Sequence, residues 1–247
     1  MRGIAVIEYT EFKNKIIYYF QKYGIEYDGR IIDNFYKFTL FLLSENEKYN
    51  LTSICTPDEI ITKHYIDSII VLKYFNIQKN AKIIDIGTGA GFPGLPLYIM
   101  RGDLHLTFVD SIGKKISFVK SAVQKTNGDL KNFVFHAGRA EEYGKNPAVR
   151  EKFDMAVFRA VAKLSVLCEI SAPFVSSGKF MIAYKSKNAK NEIAEAQNAL
   201  YLLDLKIAET IEFDLENENR TLIVIQKSNP TPMKYPRRFS EISKNPL

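Results

Sequence analysis

Lys82-Ile83-Ile84-Asp85-Ile86-Gly87-Thr88-Gly89-Ala90-Gly91-Phe92-Pro93-Gly94-Leu95-Pro96-Leu97 is the stretch that decides the fold. Ile83, Ile84 and Ile86 are β-branched and apolar around a single acid, the composition of a strand buried in a parallel sheet. The glycines that follow let the backbone turn sharply and lie against a ligand, since no Cβ blocks positive φ or close approach. Pro93 or Pro96 suits the first turn of a helix, where a missing N–H leaves no hydrogen bond unmade. Strand, glycine turn and helix make a nucleotide-binding βα unit.

Three ligand classes use such a unit. A P-loop needs Gly-Lys-Ser/Thr after its spacer, and this turn has none. A dinucleotide fingerprint fits literally, because Gly89-Ala90-Gly91-Phe92-Pro93-Gly94 is G-x-G-x-x-G. An S-adenosylmethionine site fits as well: Asp85-Ile86-Gly87-Thr88-Gly89-Ala90-Gly91 has the acid in the strand followed by Gly-x-Gly-x-Gly. The turn alone leaves these two open, and the rest of the chain has to choose.

The 247 residues, 46% hydrophobic and 25% charged, suffice for one large domain or one domain with an extension. A net charge of +6 is compatible with a polyanionic partner. No apolar run exceeds five residues, so no membrane span is expected. Ile4-Ala5-Val6-Ile7 is interrupted at Glu8 and does not read as a signal-peptide core. Two cysteines, Cys55 and Cys168, make neither a disulfide framework nor a zinc site. The expectation is a cytoplasmic protein without a metal; nothing in the sequence demands a dimer.

Residues 1–75 read as a helical extension packed on the core, with Phe12, Ile16, Phe20 and Tyr23, then Ile31, Phe35, Phe38 and Leu42, at helical spacing. A third helix starts at Thr56-Pro57-Asp58-Glu59, which offers a cap, a proline at the first helical position and a glutamate three after the cap. It should run to about Phe75 with His64, Asp67 and Ser68 on one face. Such a histidine is either locally paired or chemically active, and the sequence leaves both open.

From Lys82 strands and helices alternate. Strands are expected over residues 106–110, 132–136, 153–158 and 178–185, and a helix over residues 114–127. Asp110 ends its strand one βα unit after the glycine turn, where a carboxylate accepts the ribose hydroxyls of an adenosine. A helix presenting Ile193, Ala196, Leu200 and Leu203 follows. Residues 205–213 and 222–226 then form a hairpin around Glu216-Asn217-Glu218-Asn219. The tail from Lys227 sets Lys227, Lys234, Arg237, Arg238 and Lys244 against Glu241, and reads as an extended basic arm or a solvated tail.

Five βα units closed by an antiparallel hairpin are the layout of a class I S-adenosylmethionine-dependent methyltransferase: an α/β, Rossmann-like, seven-stranded, mostly parallel sheet. Dinucleotide dehydrogenases usually continue with a second parallel half. The expected organisation is a helical extension over residues 1–75, a methyltransferase domain over 76–228 and a basic, proline-containing tail over 229–247.

The sequence also resembles, over nearly its whole length, the RsmG (GidB) family of bacterial small-subunit ribosomal RNA (guanine-N7) methyltransferases. The matching pieces are Asn50-Leu51-Thr52-Ser53, His64-x-x-Asp67-Ser68, the stretch from Asp85 to Pro96, and Asp110-Ser111-x-x-Lys114-Lys115. Gly138-Arg139-Ala140-Glu141, Arg159-Ala160, Tyr184-Lys185, residues 220–225, Lys234-Tyr235-Pro236-Arg237-Arg238 and the closing Pro246-Leu247 complete the match. Phe239-Ser240-Glu241-Ile242 departs from it, where family members often have a glycine-containing link.

The resemblance implies methyl transfer from S-adenosyl-L-methionine to N7 of one guanine in 16S ribosomal RNA, met free, in the small subunit or in a precursor of it. It places cofactor contacts on Gly87, Phe92, Ala140, Glu141 and Arg159. The strand-end acids Asp85 and Asp110 join them from physical reasoning, facing the methionine and ribose ends. Arg159 is a candidate for the cofactor carboxylate, for orienting the guanine, or for a structural ion pair. Arg139, Lys185, Arg237 and Arg238 are candidates for phosphate contacts. Asn50 and His64 are candidates for the RNA-facing side of the turn. No residue is assigned acid–base catalysis. Two other classes stay open: a methyltransferase of a small molecule, and a non-enzymatic NAD-sensing or RNA-binding module.

Overall fold

The computed structural model describes residues 7–159 and 162–247. Ile4-Ala5-Val6 of the N-terminal cluster and Ala160 of the Arg159-Ala160 pair lie outside the described residues. Seven strands form one sheet: β1 (Lys82–Ile86), β2 (His105–Asp110), β3 (Phe133–Ala137), β4 (Phe153–Arg159), β5 (Val175–Ser186), β6 (Leu205–Leu215) and β7 (Glu218–Lys227). Their order is β3-β2-β1-β4-β5-β7-β6, with β7 antiparallel to both neighbours and every other pairing parallel. The chain therefore reverses its direction of travel between β1 and β4, and a crevice opens beyond their carboxyl ends.

Alternation along the strands divides the interior in two. Ile83, Ile182 and Val224 join a core with the N-terminal helices, whereas Ile84, Met181 and Ile223 join a second core on the other face. The first face carries α1 (Tyr9–Tyr23), α2 (Gly29–Tyr49) and a helical stretch over residues 57–74. Phe12, Phe20, Phe35 and Phe38 are fully buried there. Each contributes about 1.5–3 kcal/mol on leaving water, which is why a polar-looking N-terminal segment folds onto the sheet.

The stretch over residues 57–74 starts as its sequence indicates. Thr56 Oγ1 accepts from the Glu59 N–H at 3.4 Å and donates to Glu59 Oε2 at 2.9 Å, with Pro57 in the first turn. It is not the single α-helix expected: α3 (Pro57–Glu59) gives way to a π-helix over Ile60–Ile66, then α4 (Asp67–Ile69) and α5 (Val71–Tyr74). From Ile60 to Val71 every residue but Lys63 is buried, so no exposed stripe marks the period and the wide turns leave no trace in the sequence.

Next come α6 (Gly94–Met100), α7 (Gly113–Lys125) and α8 (Ala140–Tyr143), with α9 (Leu164–Ser171), α10 (Ala189–Glu195) and α11 (Gln197–Leu202). The single helix expected around Ile193 is broken at Ala196 (φ −90°, ψ 2°). The hairpin turn is tighter than the four polar residues expected. Glu216 (φ 51°) and Asn217 (φ 64°) are both left-handed, so the strands resume at Glu218, as in a two-residue turn.

The tail is not a free arm. Tyr235 is buried, and Ile242 is buried within α12 (Phe239–Lys244), which packs on α9, while Lys234, Arg238 and Lys244 stay exposed. Lys227, grouped with the basic tail by sequence, is fully buried in β7 and reaches Glu151 Oε1 at 2.7 Å. Among the described residues no helix is long and apolar enough to cross a membrane.

Candidate active site

Asp85 anchors the glycine turn from below. Its Oδ2 accepts from Thr88 Oγ1 at 2.7 Å and from the Gly94 N–H at 2.9 Å. Gly94 is required for this: a Cβ there would stand 2.6 Å from the Phe108 ring and 2.7 Å from Asp85 Oδ2. Gly87, Gly89 and Gly91 all take positive φ (70°, 58° and 93°), which a side chain would resist. Asp85 is wholly buried and its Oδ1 has no partner. Burial pushes its carboxyl pKa up to about 7, against the two hydrogen bonds and the Arg159 charge, which lower it. Expected at the methionine end of the cofactor, it lies under the turn.

Asp110 closes the turn from the side. Oδ2 accepts from the Gly89 N–H at 3.0 Å and Oδ1 from the Ile112 N–H at 2.9 Å. A carboxylate has about four lone-pair sites, so two remain for a ligand. Asp110, Gly87, Ala140 and Glu141 line one hollow of about 340 Å³ with Ile112 and Phe239. That volume lies within the range of small-molecule sites. Glu141 is buried, with Arg139 Nε 3.7 Å from its Oε1. Four of the seven expected cofactor residues thus meet in one place.

Phe92 and Arg159 belong to a neighbouring arrangement. Phe92 is buried between rings, its centroid 4.3 Å from that of His64 and 5.4 Å from that of Phe38. Arg159, at the end of β4, sits 5.1 Å from the Phe92 ring centroid. Its Nη1 donates to Asp67 Oδ2 at 2.8 Å and to the Lys63 carbonyl at 3.0 Å. The other terminal nitrogen lies 3.2 Å from His64 Nδ1. An arginine only donates, so Nδ1 accepts, and Nε2 carries the proton that it shares with Thr52 Oγ1 at 2.9 Å. Burial first, and the Arg159 charge second, hold the His64 pKa down at about 3, so the ring is neutral.

Lys63, His64, Asp67 and Arg159 border a second hollow of about 490 Å³, with Tyr184, Lys185, Glu192 and Arg220. Ala162 lines both hollows, so they adjoin. Each charged group here is held by another. Arg220 Nε is 3.5 Å from Asp67 Oδ1, and Lys185 Nζ donates to Glu192 Oε2 at 2.6 Å and to the Ala162 carbonyl at 2.8 Å. Tyr184 donates to the Ser68 carbonyl at 2.8 Å, and burial raises its hydroxyl pKa well above the usual value.

The remaining candidates are dispersed. Asn50 caps α2 in a left-handed conformation (φ 47°) and lines neither hollow. Arg237 is turned inward: its Nε and Nη2 fork on Glu169 at 2.8 and 2.6 Å, and the Glu169 side chain has no solvent exposure. Lys185 and Arg237 therefore serve their own fold, while Arg139 and Arg238 are exposed. Sequence reasoning gave no site role to Thr52, Arg220 or Phe239. The first two stand in quoted motifs; Phe239 stood out only as a departure. Cys168 is buried and its thiol pKa is pushed up to about 12, that of a packed rather than reactive group. Among the described residues no group of three or more His, Cys, Asp or Glu side chains is placed to hold a metal ion.

A dinucleotide fold would extend its parallel sheet past β5; here β7 runs antiparallel between β5 and β6, and that edge makes the protein a class I S-adenosylmethionine-dependent methyltransferase. Solved structures agree at the level of fold. A SAM-dependent methyltransferase from Aquifex aeolicus aligns with a TM-score of 0.53 and 17% identity, over 74% of this chain and 97% of that one. The B. subtilis tRNA methyltransferase TrmK aligns with a TM-score of 0.53 and 13% identity, over 68% of each.

The chain belongs to the GidB family, rRNA small subunit methyltransferase G, whose model matches residues 31–223. The Clostridium beijerinckii ribosomal RNA small subunit methyltransferase G is 40% identical to it, over 91% of this chain and 94% of the relative. The Acetivibrio thermocellus protein of the same name is 42% identical, over 91% and 92%.

Proposed function

We propose that this chain methylates N7 of a guanine in 16S ribosomal RNA, with the cofactor in the hollow at Gly87 and Asp110 and the guanine in the adjoining one. The residues fit the cofactor: Asp110 keeps two lone pairs for ribose hydroxyls, and the Asp85 carboxylate has an unpartnered oxygen under the turn. When bound, it supplies an electrophilic methyl on a sulfonium.

The observation that carries the reading is the pairing of the second hollow's titratable groups. His64 is neutral with both nitrogens engaged, and Asp67, Arg159, Lys185, Glu192 and Arg220 are all ion-paired. Such a site aligns and desolvates a base but removes no proton from it. Guanine N7 has an in-plane lone pair free of any proton and so requires no more. An exocyclic amine commonly takes an Asn/Asp-Pro-Pro-Tyr/Phe element where this chain reads Arg159-Ala160-Val161-Ala162. Pyrimidine C5 requires a nucleophilic cysteine in the site; Cys168 is buried with its thiol pKa pushed up to about 12, and exposed Cys55 lines neither hollow.

The Arg159 guanidinium, fixed by Asp67 and by the carbonyls of Lys63 and His64 (3.0 and 3.4 Å), orients the base, and exposed Arg139 and Arg238 grip phosphate. The reaction takes place in the cytoplasm, where ribosomal RNA is. The test is transfer of a tritiated methyl to small subunits, and to free 16S RNA, from cells lacking the protein. Borohydride and aniline cleavage at one guanine is the expected result. Label on an exocyclic nitrogen or on C5 overturns the proposal.

A further inference from the structure

One wall of the cofactor hollow comes from outside the βα units that build the rest. Phe239, the first residue of α12, lines it together with Gly87, Asp110 and Ala140. The Arg139 guanidinium lies 4.4 Å from the centre of the Phe239 ring and covers it. The ring is half-buried, with apolar surface facing a hollow floored by acids and backbone.

Contacts away from the hollow also hold the segment on either side of the ring. Two residues earlier, Arg237 forks on buried Glu169 and donates from its backbone N–H to Glu169 Oε1 at 3.0 Å. Arg150 donates to the carbonyls of Thr231 at 2.8 Å and Tyr235 at 3.0 Å. Three residues after Phe239, Ile242 is fully buried in the core beneath. A latch on either side sets the ring's position before any ligand arrives.

We propose that Phe239 is a cofactor-binding residue, an aromatic wall supplied by the C-terminal segment against which the adenosine packs. This rests on the reading that the hollow at Gly87 and Asp110 holds the cofactor. A nucleobase has two apolar π faces, and aromatic side chains hold such faces with little regard to base edges. A ring already fixed by Arg237 and Ile242 loses little freedom on binding. The wall lies in the segment Phe239-Ser240-Glu241-Ile242, where the chain departs from the tail pattern described above.

Calorimetric titration of S-adenosylhomocysteine into the full chain tests this with Phe239→Ala, Phe239→Tyr and Asp110→Ala. Phe239→Ala should weaken binding about tenfold, the size of one base–aromatic contact. Phe239 also packs against the second core, so affinities are compared at a temperature where every variant is folded, and Phe239→Tyr should restore most of the affinity. If Phe239→Ala binds as the parent does while Asp110→Ala is weakened, the wall is refuted and the hollow remains the cofactor's. If neither substitution weakens binding, the cofactor lies elsewhere and both readings fall.

Discussion

Both nitrogens of the His64 imidazole are engaged, and that one fact sets the chemistry of the second hollow. Its pKa falls from 6.5 to about 3 on folding, through burial first and Arg159 second. Below about 6.5 the unfolded chain takes up a proton that the folded chain refuses. Stability from this group is therefore complete above pH 6.5 and lost as the pH falls towards 3. Urea unfolding of the parent should lose up to about 1.4 kcal/mol per pH unit more than His64→Gln between pH 6.5 and 4.5. Parallel profiles would show that the ring titrates freely in the fold. Arg139 and Arg238 make a different case, because both are exposed and available to a polyanion. Replacing both with alanine should lower the slope of log affinity for ribosomal RNA against log salt by about 0.7 for each phosphate lost. An unchanged slope removes them from the RNA surface.

Two elements depend on single contacts. The tail's latch is the fork of Arg237 on the fully buried Glu169. Arg237→Ala strands a buried carboxylate and should cost about 3 kcal/mol in thermal or urea unfolding, with most of it regained when Glu169 is also made apolar. Failure of the double variant to regain stability would mean that the latch works by packing instead. How much of this was legible differs from element to element. The strand at Ile83–Ile86 and the cap at Thr56 were legible, because each is encoded within a few neighbouring residues. The latch was not: it joins residues 68 positions apart in the chain, and a run of basic residues looks solvated until its buried acids are located. The π-helix at Ile60–Ile66 was hidden because all of its residues but Lys63 are buried, which leaves no exposed stripe to show the winding. That Gly87, Asp110, Ala140 and Glu141 gather at one hollow was legible from strand ends and motif; Phe92 was legible as a motif residue but not as a ring packed between His64 and Phe38.

On the scale of the whole molecule, the N-terminal helices and the site share one core. Phe38 on α2 packs on Phe92 of the glycine turn, and Phe92 carries His64 on its face. At the far end, Lys22 and Tyr23 of α1 bind Glu216 of the hairpin tip at 2.6 and 2.8 Å. The extension therefore braces the sheet at two places and sets the height of the site's aromatic floor. Phe38→Ala should destabilise the chain by about 3–5 kcal/mol, and at a temperature where it remains folded it should also slow methyl transfer. Loss of stability with an unchanged rate would separate the extension from the site.

The central claim is that two adjoining hollows bring a methyl and a base nitrogen together with no side chain taking a proton. The pH dependence of single-turnover methyl transfer to 16S ribosomal RNA, with RNA and cofactor bound beforehand, tests it most directly. With Asp85→Asn, which removes the carboxyl under the turn that titrates at about 7, the expected rate is level from about pH 6 to 8.5, because neither the nitrogen nor the paired groups around it must change protonation state. A tenfold rise in rate per pH unit across that range would reveal a general base and contradict the account.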